Sequence, residues 1–180
     1  AIAARTKEIE ELNAKIFKPI FGCEMYVAKE SLHTHVDKKD TGRHLVVLAK
    51  NETGYHNLIK IVSQAWTEGL YSHPRTDKKA LAEHHEGLIV CSACLGGEIP
   101  RLIQAGDIEE AERQVKWFKD TFGDDYYIEI QRHRTNRPGA NTEVFDRQQE
   151  VNPELIRIAR KFDIKIVATN DVHFVNEDDA

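Results

Sequence analysis

Short apolar runs alternate along this chain with longer stretches of helical periodicity, and that alternation restricts the fold more than any other feature. The runs KPIFGCE (18–24), HLVVLA (44–49), GLIVCSAC (87–94), YYIEIQ (126–131) and KIVATNDVH (165–173) have the length and content of strands. Between them apolar residues recur at the spacing of a helix face. Strands that alternate with helices build a parallel sheet covered by those helices, so the expected class is α/β.

Helix signals fill the intervals. Residues 3–16 read as an exposed helix with Ile9, Leu12 and Ile16 on one face. Tyr55, Leu58, Ile59, Val62, Ala65 and Trp66 make a second stripe, which 67–76 interrupts before Thr76 caps a short helix through Leu81. Asp107 stands as an N-cap with Glu110 three residues on; Ile108, Ala111, Val115, Phe118 and Phe122 follow, and Gly123 supplies the stop. In 126–131, Ile128 and Ile130 alternate with Glu129 and Gln131. Asn152-Pro153 opens the last helix, with Leu155, Ile158, Ala159 and Phe162 as its core face. The expected order is α, β, β, α, short α, β, α, β, α, β, without an internal repeat. This reads as one domain, part of an α/β barrel or a related parallel-sheet fold. A chain that starts directly on a helix also points to a piece of something longer.

Charge and cysteine content narrow the setting. With 25 Lys and Arg against 30 Asp and Glu, the formal charge is −5, so contact with nucleic acid requires a local basic patch. No apolar run reaches the roughly 18 residues of a membrane span, and residues 1–16 carry no signal-peptide pattern. Three cysteines without paired spacing point to a reducing compartment, by default the cytoplasm.

Chemistry-bearing residues gather at the ends of the apolar runs: Glu24, His44, Cys94, Asp171 and His173. Four lie at or beyond the carboxyl end of their run, where ligands collect in parallel-sheet folds, and His44 just precedes its own. Carboxylate, imidazole and thiolate suit borderline divalent metals such as zinc or manganese. Asp171 and His173, two apart in extended chain, face the same way and are the strongest pair, with the catalytic role falling to them. Each residue also has a plain alternative: a turn-forming Asp, a first solvated Glu, a hydrogen-bonded strand-edge His. Cys23 and Cys91 lie inside apolar runs and read as core.

Two further clusters compete. His33, His35 and Asp37 form H-x-H-x-D, yet sit in a Lys-rich loop with no apolar strand to hold them rigid, so they read as a decoy. The loop QRHRTNRPGAN (131–141) gathers Arg132, His133, Arg134 and Arg137 as candidate phosphate or nucleic-acid contacts, with a solvated loop as the alternative.

The segments KPIFGCEMYVA (18–28), HLVVLAKNETGYHNLIKIVSQAWTEGLY (44–71), EGLIVCSACLGGEIP (86–100), FGDDYYIEIQRH (122–133) and VATNDVHFVNEDDA (167–180) together resemble the PHP (polymerase and histidinol phosphatase) domain of bacterial DNA polymerase III alpha subunits. The resemblance covers essentially the whole chain. It implies a distorted (β/α)7 barrel, here partial, with up to three divalent metals at one end. By motif, Glu24, His44, Cys94, Asp171 and His173 match metal-binding segments of that family. The family's first H-x-H segment and its D-H-G segment have no counterpart here, so the resemblance implies a partial domain, lacking both its ends and the polymerase core, that binds metal incompletely and is inactive in isolation.

The resemblance implies a parent enzyme that is a DNA-directed DNA polymerase, a nucleotidyltransferase, carrying a metal-dependent 3′–5′ exonuclease or phosphoesterase site. The implied partners are DNA, the polymerase core of the same chain, and replicase subunits such as a proofreading exonuclease or sliding clamp; no membrane is involved. A non-catalytic scaffold that docks the polymerase core or a proofreading subunit, and a free-standing PHP phosphoesterase, are the alternatives.

Overall fold

The apolar runs become strands of one mixed sheet, and the direction of one strand decides where the candidate residues meet. The structure is a computed structural model that describes residues 2–13, 18–34, 41–134, 139, 141–173 and 175–176. Its strands are β1 (Gly22–Val27), β2 (Arg43–Ala49), β3 (Leu70–Tyr71), β4 (His73–Thr76), β5 (Leu88–Cys91), β6 (Tyr126–Ile130) and β7 (Lys165–Ala168). Its helices are α1 (Ile2–Asn13), α2 (Glu52–Thr67), α3 (Lys78–Glu83), α4 (Glu98–Gln104), α5 (Ile108–Phe122) and α6 (Glu143–Lys161). The spatial strand order is β3-β4-β1-β2-β5-β6-β7.

The parallel sheet expected from the alternation needs correction at β2. Pairs β1–β4, β5–β6 and β6–β7 are parallel, but β2 runs antiparallel to both β1 and β5. Among the described residues between β1 and β2 there is no helix. Parallel neighbours need a long crossover, usually helical, whereas a direct return gives an antiparallel pair. Among the described residues the order ends at β3 and β7, giving an open mixed α/β sheet.

Side chains alternate across each strand, so the sheet has two distinct faces. One face, with Met25, Leu45, Val47, Val90, Tyr126 and Ile128, packs into a single core with Ile61 of α2, Val115 and Phe118 of α5, and Ile158 of α6. Phe118 stacks on Tyr126 at 5.0 Å between ring centroids. The other face carries Glu24, Tyr26, His44 and Val46, as the pairings Glu24 with Val46 and Tyr26 with His44 dictate.

Several helix expectations shift in place. Leu58, Ile61 and Ala65 are the buried apolar positions of α2, while Tyr55, Ile59 and Trp66 are exposed. Helix α2 ends at Thr67 and the segment after it contains β3 and β4, and Asp77, not Thr76, caps α3 by accepting from the Ala80 N–H at 2.8 Å. Asp107 does cap α5, accepting from the Glu110 N–H at 3.2 Å. Helix α4 follows Gly96-Gly97 with a proline in its first turn, a composition that hides a helix. Helix α6 begins well before Asn152-Pro153 and carries Pro153 in its interior. Its buried stripe of Val151, Leu155, Ile158 and Ala159 offsets the one backbone bond Pro153 cannot make. Of the apolar stripe read on α1, Ile9 and Leu12 are exposed and Ile16 lies outside the described residues. No described helix is long and apolar enough to cross a membrane.

The first turn of α2 lies hard against the turn before β5. A Cβ placed on Gly54 would stand 1.7 Å from the Gly87 carbonyl oxygen, and Gly87 itself has φ +73°. The Lys50 N–H and the Asn57 amide donate to the carbonyls of Gly87 and Glu86, both at 2.9 Å, and fix that approach. Alanine favours a helix over glycine by about 1 kcal/mol. Backbone overlap costs more, so Gly54→Ala is expected to lower unfolding stability by about 1–3 kcal/mol. Urea unfolding followed by circular dichroism checks this; an unchanged or raised stability would contradict the contact.

Candidate metal centre

The antiparallel course of β2 brings its amino end beside the carboxyl end of β1. Tyr26 pairs with His44, so His44 and Glu24 project from the same face on neighbouring strands. His44 Nδ1 lies 2.8 Å from Glu24 Oε1 and 3.4 Å from Cys94 Sγ. The ligand atoms of Glu24, His44 and Cys94 all fall within 4.8 Å of one another. Glu24 is therefore inside β1 rather than at its end, as the sequence run implied, and His44 is the second residue of β2 rather than a residue before it.

Cys94 arrives from the loop after β5. Ala93 takes φ +64°, a left-handed conformation that turns the chain sharply just before the thiol. The Gly96 N–H donates to Cys94 Sγ at 3.4 Å, the Gly97 N–H to the Cys94 carbonyl at 2.9 Å, and the His44 N–H to the Gly96 carbonyl at 3.2 Å. The same loop that carries the thiol is thus tied to the strand that carries the imidazole. Burial pushes the Cys94 thiol above its ordinary range, the Gly96 N–H opposes this, and the Asp171 and Glu24 carboxylates add to the rise.

Asp171 and His173 follow β7 at the same end of the sheet. Asp171 shares with Cys94 a cleft of about 590 Å³, whose walls also present Arg101, Gln104, Gln131 and Arg147. The pair stands beside the three-residue cluster rather than inside it. His173 is exposed; its Nδ1 lies 2.9 Å from the Asp171 carbonyl oxygen and 3.9 Å from Asp171 Oδ1. That backbone contact, then the Asp171 carboxylate, raises its pKa, and Glu24 adds a smaller push.

The donor set fits a borderline divalent ion. Two bonds of about 2.0–2.3 Å from one zinc ion span at most about 4.6 Å. The separations among Glu24, His44 and Cys94 all fall within 4.8 Å, two of them at 2.8 and 3.4 Å, on the scale of that span.

A family model for the PHP domain matches residues 3–133. The chain belongs to the PHP domain family. This PHP domain is 44% identical over 165 residues to the DNA polymerase III subunit alpha of Borreliella burgdorferi, covering 91% of the chain and 14% of that relative. It is 43% identical over 166 residues to the Thermus aquaticus subunit alpha, covering 91% of the chain and 13% of that protein. Against the Aquifex aeolicus subunit alpha it is 37% identical over 180 residues, covering 96% of the chain and 15% of the relative. The chain therefore spans about a seventh of the length of the curated relatives it matches.

The basic loop of this PHP domain is not uniformly turned to solvent. Arg132 and Arg134 are exposed, with the Arg132 guanidinium 5.8 Å from the Phe145 ring centroid. His133 faces inward. Its N–H donates to Gln148 Oε1 at 2.8 Å, and its Nε2 accepts from the Asp171 N–H at 3.3 Å. It supports the Asp171 backbone, a role its place in a basic run concealed. Arg137 lies outside the described residues, as do His35 and Asp37 of the H-x-H-x-D loop; His33 is exposed, 3.7 Å from Glu68.

Sequence reasoning missed Arg101 and Arg147 on the cleft walls, and it set Glu129 and Gln131 in alternation with Ile128 and Ile130 without giving them a role. Glu129 and Gln131 are both buried. The available signal for Glu129 was a charged residue flanked on each side by isoleucine in an apolar strand.

Gly96 sits under the His44 ring, where an added Cβ would lie 2.9 Å from Nδ1 and 3.1 Å from Cε1. A ring can swing away, so Gly96→Ala is expected to change stability by less than about 1 kcal/mol. The displaced donor nitrogen is expected to weaken zinc binding at least about tenfold, the scale of losses from disturbed ligand orientation. Isothermal calorimetry beside thermal unfolding reads both; unchanged affinity would remove His44 from the ligand set.

Proposed function

We propose that this PHP domain carries a divalent-metal centre for phosphoester hydrolysis of the 3′–5′ exonuclease type, as part of a DNA polymerase III alpha-type protein. The observation that carries the reading is the convergence of Glu24, His44 and Cys94 within 4.8 Å, beside the cleft that holds Asp171. Glu24, His44 and Cys94 are proposed as the residues that hold an ion, zinc or manganese by donor type, with Asp171 and His173 completing the set. A bound divalent ion supplies Lewis acidity at a phosphoryl oxygen and a water of lowered pKa.

The chain's own groups then divide the remaining work. The Asp171 carboxylate, beside Cys94 in the cleft, adds negative charge that favours a cation there. Arg101 and Arg147 offer planar donor forks to the oxygens of a phosphodiester, while Arg132 and Arg134 lie exposed on the loop after β6. The proposed partners are DNA, the polymerase core and other replicase subunits, in the cytoplasm. The open sheet is proposed as part of a distorted (β/α)7 barrel.

A scaffold that docks the polymerase core or a proofreading subunit is the second reading. It is favoured by the exposed apolar stripe Tyr55, Ile59 and Trp66 along α2.

The raised thiol pKa sets a pH dependence. Below its pKa Cys94 holds a proton that a metal must displace, so affinity rises as pH rises through the neutral range. For one displaced proton the gain is about tenfold per pH unit, and Cys94→Ser should flatten that slope. Calorimetric titration with zinc between pH 6 and 8, values chosen to lie below the ordinary thiol range of about 8.5, is the measurement.

Asp171→Asn in a polymerase subunit containing this domain is expected to lower metal-dependent 3′–5′ exonuclease activity at least about a hundredfold, corresponding to about 2.7 kcal/mol of barrier. Circular dichroism should be unchanged. Exonuclease activity that survives the substitution, or a wild-type domain that binds no divalent metal, would favour the scaffold.

A further inference from the structure

We propose that Glu129 is the positioning residue of the candidate centre: its carboxylate sets the Cys94 loop and the Asp171 segment relative to each other. The inference rests on the metal-centre reading for its consequence and on hydrogen-bond geometry for its cause. Glu129 lies in β6, between β5 and β7, and is 5% exposed. Its two carboxylate oxygens face different segments. Oε2 accepts from the Ala93 N–H at 3.0 Å, and Oε1 accepts from the Thr169 hydroxyl. The Gln131 amide also donates to Oε1, at 3.4 Å.

Ala93 and Thr169 are the significant partners, because each stands one or two residues before a candidate ligand. Ala93 is buried, and its left-handed backbone turns the chain into Cys94. Without the Glu129 carboxylate its buried N–H would lose its acceptor, and buried backbone donors are seldom left unpaired. The Glu129 N–H donates to Ser92 Oγ at 2.8 Å, and the Ser92 N–H to the Tyr127 carbonyl at 3.1 Å, so the same residue locks the loop at a second point. On the other side the Thr169 N–H donates to the Ile130 carbonyl at 3.2 Å, which leaves its hydroxyl free to reach Glu129.

Among the described residues no lysine, arginine or histidine forms an ion pair with Glu129. A buried carboxylate without a cationic partner is costly, and three converging donors, from the segments after β5, β6 and β7, offset that cost. Glutamine at this position preserves the geometry. Its oxygen can accept from Ala93 while its amide donates to the Thr169 hydroxyl, and the Gln131 amide, which donates to Oε1 of Glu129, turns over to present its unpartnered Oε1 to the second amide hydrogen. Alanine removes both links.

The test compares Glu129→Ala, Glu129→Gln and Thr169→Val in the whole chain, with two readouts. Cobalt(II) titration follows affinity and the sulfur-to-cobalt charge-transfer band that reports Cys94 ligation. Glu129→Ala is expected to weaken cobalt about 10–100-fold and reduce the band, and Glu129→Gln to stay within about threefold. Thr169→Val should lower affinity while keeping the band per bound ion. In the metal-free chain, alkylation of Cys94 by iodoacetamide, read by peptide mass, should rise several-fold in Glu129→Ala and stay unchanged in Glu129→Gln.

If wild type binds no cobalt, the metal reading fails while the alkylation readout still decides the positioning role. If wild type binds and Glu129→Ala matches it in affinity, band and alkylation, the positioning role fails. Equal losses in the glutamine and alanine variants would assign the effect to charge and overturn the proposal. Should Glu129→Ala fail to fold, Thr169→Val alone decides: wild-type cobalt affinity in that variant overturns the inference.

Discussion

The reversal of β2 is the constraint on which the rest of the site depends. In a sheet whose neighbouring strands all ran the same way, the start of β2 would lie at the end opposite the loops that follow β5 and β7. Because β2 returns antiparallel between β1 and β5, His44 instead enters among those loops. The pairing of Tyr26 with His44 then places imidazole and the Glu24 carboxylate on one face. Side-chain alternation completes the division of labour: Leu45 and Val47 go to the helix-covered core, and His44 and Val46 go to the other face.

Hydrogen bonds from the strands on either side of β5 hold the loops that the reversal brings together. On the β2 side, the Gly96 carbonyl takes the His44 N–H, and the ring lies so close that a Cβ on Gly96 would push it aside. On the β6 side, Glu129 reaches Ala93 and Thr169 with separate oxygens. The His133 ring supports the Asp171 N–H from a third direction, and the His133 N–H is itself held by Gln148 of α6. A metal centre needs this kind of support, since ligand orientation set by outlying hydrogen bonds governs affinity as much as ligand identity. The strained backbone at Ala93 fits the same account: left-handed conformations in residues with a Cβ persist where surroundings hold them, and they cluster at functional sites.

Much of the fold was legible because periodicity and capping are local properties. The α5 cap at Asp107 and stop at Gly123 follow from side-chain and backbone preferences that need no distant partner. Failures came where tertiary contacts override local signals. The segment after Thr67 does break the helix as its turn residues imply, but Leu70–Tyr71 and His73–Thr76 in it become β3 and β4 because β4 pairs with β1. Asn152-Pro153 has the look of a helix start, yet α6 runs through it because its buried face continues on both sides, and the Asn152 amide is used to bond the Gln131 carbonyl.

For the candidate site, the sequence by itself determined the donor types and their association with strand ends, since carboxylate, imidazole and thiolate beside apolar runs can be read without coordinates. It also determined the turn at Gly96-Gly97, where a Cβ on Gly97 would stand 2.2 Å from the Ser92 carbonyl oxygen. Tertiary structure alone decided that Glu24, His44 and Cys94 form one cluster, with Asp171 beside them in a shared cleft. It also decided that Glu129 is buried and that His133 supports the Asp171 N–H. The physical reason is that strand direction and loop hydrogen bonds join residues about 40 positions apart, and periodicity within a short window carries no information about such pairs.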